Sequence, residues 1–209
     1  MPRQYHVGIL LFDDVDALDF AGPYEVFNMT TYKIEDLKKL LTNELEEKPF
    51  KVHTVSVDGK EIKVHHGLTV IPNFSFSNCP KFDIIIVPGG PLKAIHTITT
   101  NKEIIDWIKS YEDQLIASVC TGAFFVAQTG LLSGKKATTN KSALGLLAKA
   151  YPDIEVIKDV KFVDEGNMIT SAGVSSGINM ALHIVSRLID EEAAIRTSKT
   201  IEFQDGFNK

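Results

Sequence analysis

The stretch Ile-Ala-Ser-Val-Cys-Thr-Gly-Ala-Phe-Phe, residues 116–125, joins a predicted strand to a predicted helix. The apolar run from Gln114 to Val119 predicts a buried strand, and the segment from Ala123 to Thr129 predicts a helix that is apolar on all sides. A strand that turns directly into a helix leaves one residue at a sharp, exposed corner, and here that residue is Cys120. The free amides of the first helical turn favour negative charge at this corner. We therefore expect a reactive thiol that ionises more easily than a free cysteine, with a buried, inert cysteine as the alternative.

The composition limits the classes of protein to which the chain can belong. Its 209 residues are 44% apolar and 23% charged, an ordinary globular balance that can bury a full core. Two cysteines, Cys79 and Cys120, do not make a disulfide framework, so we expect a cytoplasmic protein, and we expect Cys79 to be structural. The absence of an apolar signal region or a membrane-length apolar run argues against a membrane protein. A net charge of −5 without a basic block argues against nucleic acid, which leaves a small molecule as the expected partner.

Strand-like and helix-like segments alternate along the chain. Apolar residues dominate the runs from Tyr5 to Phe12 and from Phe82 to Val87, as is typical of central parallel strands that are covered on both faces. The highly charged residues 33–48 keep apolar positions at helical spacing, so we predict an amphipathic surface helix there. No repeat or linker divides the chain. We therefore predict one α/β domain over residues 1–209, with a mainly parallel, flavodoxin-like sheet flanked by helices.

Sequence signals for helix starts and turns predict where the candidate functional residues lie relative to these strands and helices. Gly22-Pro23 predicts the start of a short helix from Tyr24 to Met29, with Asp19 in the loop before it. Thr100 and Glu103 have the form of a capping box for the next helix. A small hairpin is predicted around His65 and His66, which point to opposite faces of a strand and cannot chelate one ion together. We therefore predict a surface turn there and no metal site.

The segment Pro88-Gly89-Gly90-Pro91 follows a predicted central strand and has bare backbone amides. It can be a simple tight turn, or it can present amides to a developing oxyanion. Open α/β sheets bind ligands at the carboxyl ends of their strands. We expect the strand ends near Asp19, Gly89 and Cys120 to gather along one edge of the sheet.

Together, seven segments resemble the ThiJ/PfpI family of the class I glutamine amidotransferase-like superfamily. These segments are Gly8 to Phe12, Leu18 to Pro23, Asp83 to Gly90, Ser118 to Ala123, Gly130 to Leu132, Ala137 to Thr139 and Ser171 to Ile178. The chain is most similar to the isocyanide (isonitrile) hydratases of that family and to the ligand-binding half of AraC-type regulators, since all carry Cys-Thr-Gly in place of Cys-His. Thr121 cannot act as a general base, so we do not expect a Cys-His protease. Regulators of this kind continue with DNA-binding helices after about residue 200, so a chain that ends at Lys209 is not expected to be one.

The resemblance implies roles for particular residues. Cys120 would be the nucleophile, Asp19 its acid and base, and Thr121 a further member of the catalytic site. The amides of Thr121, Gly89, Gly90 and Gly122 would bind the substrate or stabilise negative charge. The resemblance also implies a homodimer, and we expect no cofactor and no metal.

Three hypotheses about function remain open from the sequence. The first is an enzyme of hydratase or hydrolase type acting on a small apolar molecule, such as an isocyanide that becomes an N-formamide. The second is a redox or electrophile sensor, or a glyoxal-detoxifying relative. The third is a ligand-binding domain without catalysis. The hydratases continue Ala-Thr-Thr with His-Trp, whereas this chain has Asn140-Lys141, which leaves the substrate open.

Overall fold

Residues 3–203 are described by a computed structural model, in which they form eleven strands and eight α-helices. The strands are β1 Tyr5–Leu10, β2 Phe50–Ser56, β3 Ile62–Lys63, β4 Thr69–Val70, β5 Phe74–Ser75, β6 Ile84–Val87, β7 Leu115–Val119, β8 Lys136–Ala137, β9 Glu155–Val156, β10 Phe162–Asp164 and β11 Met168–Ser171. The helices are α1 Ala17–Asn28, α2 Asp36–Leu41, α3 Leu92–Thr99, α4 Lys102–Lys109, α5 Gly122–Gln128, α6 Leu144–Ala150, α7 Ser176–Leu188 and α8 Glu191–Thr200. A short 3₁₀ helix, Lys141–Ala143, precedes α6.

Seven strands form the central sheet in the order β10-β11-β7-β6-β1-β2-β5. Neighbouring strands are parallel except β10, which runs antiparallel to β11. The predicted α/β fold with a mainly parallel sheet is therefore confirmed. Ile9 lies opposite Ile86, and Ile86 opposite Ala117, so the three central strands end side by side.

The strand order makes β1 the centre of a topological switch. The chain passes from β1 to β2 on one side, and later returns to β6 and β7 on the other. The crevice outside the carboxyl ends at such a point is where open α/β sheets bind ligands. The segments that follow β1, β6 and β7 meet there, and they carry Asp19, Gly89 and Cys120.

Two groups of helices flank the sheet. Helix α7 packs against α1 and α8, and helix α5 packs against α3 and α4. All four residues of β6 are buried, as the continuous apolar run predicts, because helices cover both faces of a central parallel strand. Helix α5 is buried from Gly122 to Ala127, which explains why it has no polar face. None of the helices in the described part of the chain combines the length and apolar character that crossing a membrane requires.

The start of α1 differs from the prediction. The helix begins at Ala17, with Asp16 as its N-cap residue, and it contains Pro23 in its interior. The predicted start at Gly22-Pro23 is therefore wrong. Proline is best tolerated in the first helical turn, but here the helix continues through Pro23. Gly22 and Pro23 both lie against α7, at Ile178 and Gly177. As a result of the earlier helix start, Asp19 lies in the first turn of a helix rather than in a loop.

The charged segment 33–48 is mostly not helical. Helix α2 covers only Asp36–Leu41, and Asn43 adopts the left-handed conformation with φ 58°, which ends it. The apolar positions that were predicted to form one buried helix face do not do so. Leu40 is the buried side chain of α2, whereas Ile34 and Leu41 are 67% and 69% exposed.

The predicted capping box before α4 is wrong as well. The N-cap residue is Asn101, whose side-chain oxygen accepts the amides of Glu103 and Ile104 at 3.1 Å and 3.3 Å. An asparagine satisfies the free amides of a first helical turn as well as a threonine does, so the N-cap lies one residue later than predicted.

Candidate active site

Cys120 forms the corner between β7 and α5. Its φ is 56°, a left-handed conformation that costs free energy for a residue with a side chain. Two hydrogen bonds hold the corner: the Cys120 amide donates to the Ala172 carbonyl at 3.1 Å, and the Cys120 carbonyl accepts from the Thr139 hydroxyl at 2.7 Å. The predicted strand-to-helix elbow is therefore confirmed. The second threonine of the Ala137-Thr138-Thr139 segment is one of its supports.

The elbow packs closely against the turn that follows β6. A Cβ atom on Gly122 would lie 2.1 Å from the Val87 carbonyl oxygen, and one on Gly89 would lie 2.5 Å from Thr121 Oγ1. Neither position has room for a side chain, so the two segments are fixed relative to each other. This packing brings the β6 turn against the first residues of α5.

Asp19 is fully buried and faces the same corner. Its Oδ2 accepts the Gly89 amide at 3.0 Å. Its Oδ1 is buried and has no partner at ordinary hydrogen-bond geometry among residues 3–203. One side-chain atom each of Asp16, Asp19 and Cys120 lies within 4.8 Å of the other two. The structure thus brings Cys120 and Asp19 together, from two segments that are about one hundred residues apart in the chain.

The surroundings of Asp19 favour its protonated form. Burial is the main cause that raises the pKa of the Asp19 carboxyl, and the negative charge of Asp16 adds to it. The Gly89 amide and a loose hydrogen bond with the Cys120 thiol lower this pKa in part, and the net result is a rise from 3.8 to about 7.

The thiol differs from the sequence-based expectation in two ways. Cys120 is only 3% exposed, so the corner is not an exposed one. Burial, followed by the negative charge of Asp19, raises the pKa of the Cys120 thiol to about 12. The backbone amides of Thr121 and Val174 hydrogen-bond to the sulfur and lower this pKa without compensating for burial. The prediction that the thiol ionises more easily than a free cysteine is therefore wrong, because helix-terminus amides do not outweigh desolvation and a neighbouring carboxylate.

The groups predicted to stabilise an oxyanion are already in use. The Gly89 amide donates to Asp19, and the Gly90 amide donates to Thr121 Oγ1 at 2.9 Å. The Thr121 hydroxyl in turn donates to the Gly90 carbonyl at 2.7 Å. This hydroxyl therefore joins the elbow to the β6 turn. Gly122 contributes its lack of a side chain, which lets α5 begin against the Val87 carbonyl.

Sequence reasoning missed two neighbours of the pair. His65, on the turn between β3 and β4, has its Nδ1 2.9 Å from Asp16 Oδ1, and Asp16 lies beside Asp19 and Cys120. The predicted hairpin is confirmed, but its turn lies over the loop after β1. Val174, whose amide reaches the sulfur, has φ 44°. The sequence carries no signal for either contact, because both depend on how distant segments pack.

Two carboxylates and a thiol are also groups that can bind a metal cation together. Here, however, the Gly89 amide points at Asp19, and the amides of Thr121 and Val174 point at the sulfur. These amide hydrogens occupy lone pairs that a cation would otherwise use, and they already stabilise negative charge on the oxygen and the sulfur. We assign no metal ligands among these residues.

Asn140-Lys141 stands where the hydratases have His-Trp, and only one of these two residues lies near the site. Asn140 Nδ2 is 2.5 Å from the position that a Cβ on Gly173 would take, next to Val174. The Asn140 side chain also accepts the Ser142 amide at 3.0 Å. Lys141 extends into solvent, where its Nζ is 3.9 Å from Asp159. Of this pair, Asn140 is therefore the residue that borders the site.

Comparisons with known proteins agree with this geometry. The model of the DJ-1/PfpI family matches residues 5–187. The chain is 31% identical to an isonitrile hydratase of Pseudomonas putida over 201 residues, which is 94% of this chain and 78% of that protein. It is 25% identical to the HTH-type transcriptional regulator GbdR of Pseudomonas aeruginosa, covering 95% of this chain and half of that protein. A ThiJ/PfpI family structure from Pseudomonas syringae superposes with a TM-score of 0.81 at 23% identity, covering 98% of this chain and 77% of that one. The chain therefore belongs to the DJ-1/PfpI family.

Proposed function

We propose that this protein is a cysteine-dependent enzyme that adds water to a small, apolar isocyanide and releases an N-substituted formamide. The observation that carries the proposal is the buried pair of Cys120 and Asp19, with the Asp19 carboxyl held at one oxygen by the Gly89 amide. The similarity to an isonitrile hydratase supports the choice of substrate class.

The pair supplies a route for the proton in this reaction. A thiol whose pKa is about 12 does not ionise by itself near neutral pH, so Asp19 as carboxylate must take the S–H proton while sulfur bonds to the terminal isocyanide carbon. The Asp19 carboxylic acid then donates this proton to the same carbon, and a thioimidate on Cys120 results. Water then adds across the carbon–nitrogen double bond, with its hydroxyl on that carbon and its other proton on nitrogen. The carbon–sulfur bond breaks, and the hydroxyl proton passes to sulfur as the formamide carbonyl forms. The products are the formamide and the restored thiol, so the sum is isocyanide plus water.

The raised pKa of Asp19 suits both steps. With a pKa of about 7, the carboxyl can accept and donate a proton near neutral pH, as a general acid–base catalyst requires. The amides of Thr121 and Val174 are placed to stabilise sulfur as it gains negative charge. Since the Gly89 and Gly90 amides are engaged, the proposal assigns them to positioning rather than to the substrate.

Two apolar residues next to the site in the chain have exposed side chains, which favours an apolar substrate. Leu18 directly precedes Asp19 and is 41% exposed, and Val174, whose amide reaches the sulfur, is 42% exposed. An isocyanide carries its reactive carbon at the tip of a narrow, linear and uncharged group, which can reach a shielded sulfur. A charged substrate would lose its hydration there without a paired charge.

Formamide production from para-nitrophenyl isocyanide tests the proposal. We expect turnover by the wild type, none above background for Cys120→Ala, and wild-type turnover for the matched control Cys79→Ala. Cys79 is the other free cysteine and is half-buried away from the elbow. Equal turnover by Cys120→Ala and the wild type would remove the proposal, as would the absence of formamide in the wild type.

The same observations weigh against a sensor of oxidants or electrophiles. Sensor cysteines are accessible thiols of low pKa. Cys120 is 3% exposed, and burial raises the pKa of its thiol. Slow, unselective oxidation by mild peroxide is therefore expected, and selective formation of a sulfinic acid at Cys120 would favour the sensor hypothesis.

The quaternary state is a separate part of the proposal. The resemblance to ThiJ/PfpI proteins favours a homodimer. Sedimentation equilibrium of the purified chain checks this expectation. A mass of two chains supports it, and a mass of one chain across the working concentration range removes it without affecting the chemistry at Cys120.

A further inference from the structure

The turn that carries His65 is fastened to the loop after β1. The Lys63 amide donates to Asp13 Oδ1 at 2.8 Å, and the Asp14 amide donates to the Lys63 carbonyl at 2.8 Å. The His65 amide donates to the Val15 carbonyl at 2.9 Å. These three hydrogen bonds fix the backbone at Lys63 and at His65 itself, so the His65 ring is carried by a segment that is anchored to the loop after β1.

Asp16 is the N-cap residue of α1, but its carboxylate does not cap the helix. An aspartate at this position ordinarily accepts an amide of the first turn, whereas the Asp16 side chain makes no such bond. The carboxylate instead meets His65, with Nδ1 2.9 Å from Oδ1, and lies within 4.8 Å of atoms of Asp19 and Cys120. The backbone of Asp16 is fixed independently, since its amide donates to the Gly89 carbonyl at 2.9 Å. The carboxylate is thus placed between an imidazole and the reacting pair.

The other charged groups around this contact have partners of their own or face solvent. Asp14 pairs with Lys93 of α3 at 3.1 Å, and Asp13 accepts the Lys63 amide. The side chain of Lys63 is exposed. The ring of His66 stacks on that of His65 with centroids 3.8 Å apart. From α1 and the elbow, the titratable groups that face Asp16 are those of Asp19 and Cys120.

We infer that His65, bound to Asp16, is a positioning residue that controls how much negative charge faces the Asp19–Cys120 pair. An ionised carboxylate only accepts, so Nδ1 of His65 carries a hydrogen and donates to Asp16. This donation withdraws part of the carboxylate's negative charge from the side that faces Asp19 and Cys120. The inference rests on Cys120 and Asp19 being the reacting groups of the proposed function.

The direction of the effect follows from electrostatics. The Asp16 charge makes protons harder to remove from both Asp19 and Cys120. Loss of the Asp16 charge should therefore make the thiol more reactive, and loss of its His65 partner should make the thiol less reactive. A role in folding alone would not produce effects of opposite sign.

Alkylation of Cys120 by iodoacetamide at pH 8.5 tests the inference without any isocyanide. Peptide mass spectrometry separates Cys120 from Cys79. We expect Asp16→Asn to react several-fold faster than the wild type, because it removes a charge that raises the pKa of the thiol, and His65→Ala to react at least twofold slower. The double variant should behave as Asp16→Asn does, since the imidazole acts through this carboxylate.

Two further variants separate charge from structure. His65→Gln can still donate one hydrogen bond, so it should restore most of the wild-type rate. His66→Asn is the matched control: the residue is exposed with φ 72°, a conformation that asparagine tolerates, and its rate should stay within twofold of the wild type.

Two results would overturn the inference. One is a change in the same direction for Asp16→Asn and His65→Ala, and the other is a rate within twofold of the wild type for Asp16→Asn, which is isosteric and expected to fold. Because the assay needs no substrate, it gives its answer even if formamide is never formed. The failure of the proposed function and the failure of this inference therefore remain distinguishable.

Discussion

The buried carboxyl of Asp19 should make the protein less stable as the pH rises. Its pKa is about 7 in the folded protein and 3.8 when it is free of the fold, with burial as the main cause. The folded pKa is the higher one, so the stabilisation from this group is full below pH about 4 and is lost as the pH rises to about 7. Asparagine cannot ionise, and its oxygen can still accept the Gly89 amide. Asp19→Asn should therefore remove this loss.

The size of this loss of stability follows from the difference between the two pKa values of Asp19. A rise of about three pKa units corresponds to about 4 kcal/mol at 1.36 kcal/mol per unit, and Asp19 is fully buried, so solvent does not reduce this figure. The asparagine amide group gains no good acceptor beside the sulfur, which costs about 1 kcal/mol. We expect Asp19→Asn to be more stable than the wild type by about 3 kcal/mol at pH 8.5. This corresponds to a rise in Tm of roughly 6–12 °C for a chain of this size.

Urea unfolding of both proteins between pH 5 and pH 8.5 measures this difference, because contributions from all other groups cancel. The gap should narrow to less than about 1 kcal/mol at pH 5, where the wild-type carboxyl is protonated in the fold. The matched control is Asp113→Asn, an exposed carboxylate whose effect should stay within about 0.5 kcal/mol at every pH. A gap that does not change with pH, or a wild type that becomes relatively more stable as the pH rises, would refute the reasoning.

Three further predictions concern the elbow and the helices, and urea unfolding at pH 7 measures each of them. Gly89→Ala should lower the free energy of unfolding by about 1–3 kcal/mol, since its Cβ would lie 2.5 Å from Thr121 Oγ1. Gly145→Ala, at a helical site with nothing within 4 Å, should raise it by about 0.5–1 kcal/mol, and the opposite order would contradict the packing described. Thr121→Val should lower the free energy of unfolding by about 2–3 kcal/mol, because it leaves the Gly90 amide and carbonyl unpaired, whereas Thr121→Ser should lower it by less than about 1 kcal/mol. Equal losses would show that the hydroxyl does not join the elbow to the turn after β6. Asn101→Ala should cost about 1 kcal/mol through the lost cap of α4, and no measurable loss would argue against this cap.

The central strands and the elbow were predictable from the sequence because their signals are local. The runs ending at Phe12, Val87 and Val119 are rich in apolar residues, and central parallel strands bury such runs on both faces. The Cys-Thr-Gly corner follows from a strand that passes directly into an apolar helix. Parallel strands share one carboxyl edge, so the meeting of Asp19, Gly89 and Cys120 at that edge also followed.

The predictions that failed depend on contacts made after folding. The start of α1 was missed because Gly22-Pro23 is typical of a helix start, whereas in the fold both residues pack against α7 inside a helix that begins at Ala17. The thiol's pKa was misjudged because a sequence shows the helix terminus but does not show how completely Cys120 and Asp19 are buried. His65 does lie in the predicted surface turn, but its contact with Asp16 could not be predicted, because only the fold of the hairpin over the β1 loop brings the two together.

The account depends most on Cys120 and Asp19 acting together on one carbon atom. Quenched single-turnover mixing with an aryl isocyanide, followed by intact-protein mass spectrometry, tests this claim directly. We predict a transient gain of one isocyanide mass on Cys120 in the wild type, formed at least about one-hundredfold more slowly in Asp19→Asn. Formamide that appears without any adduct on Cys120, or an adduct that forms equally fast without the Asp19 carboxyl, would contradict the account.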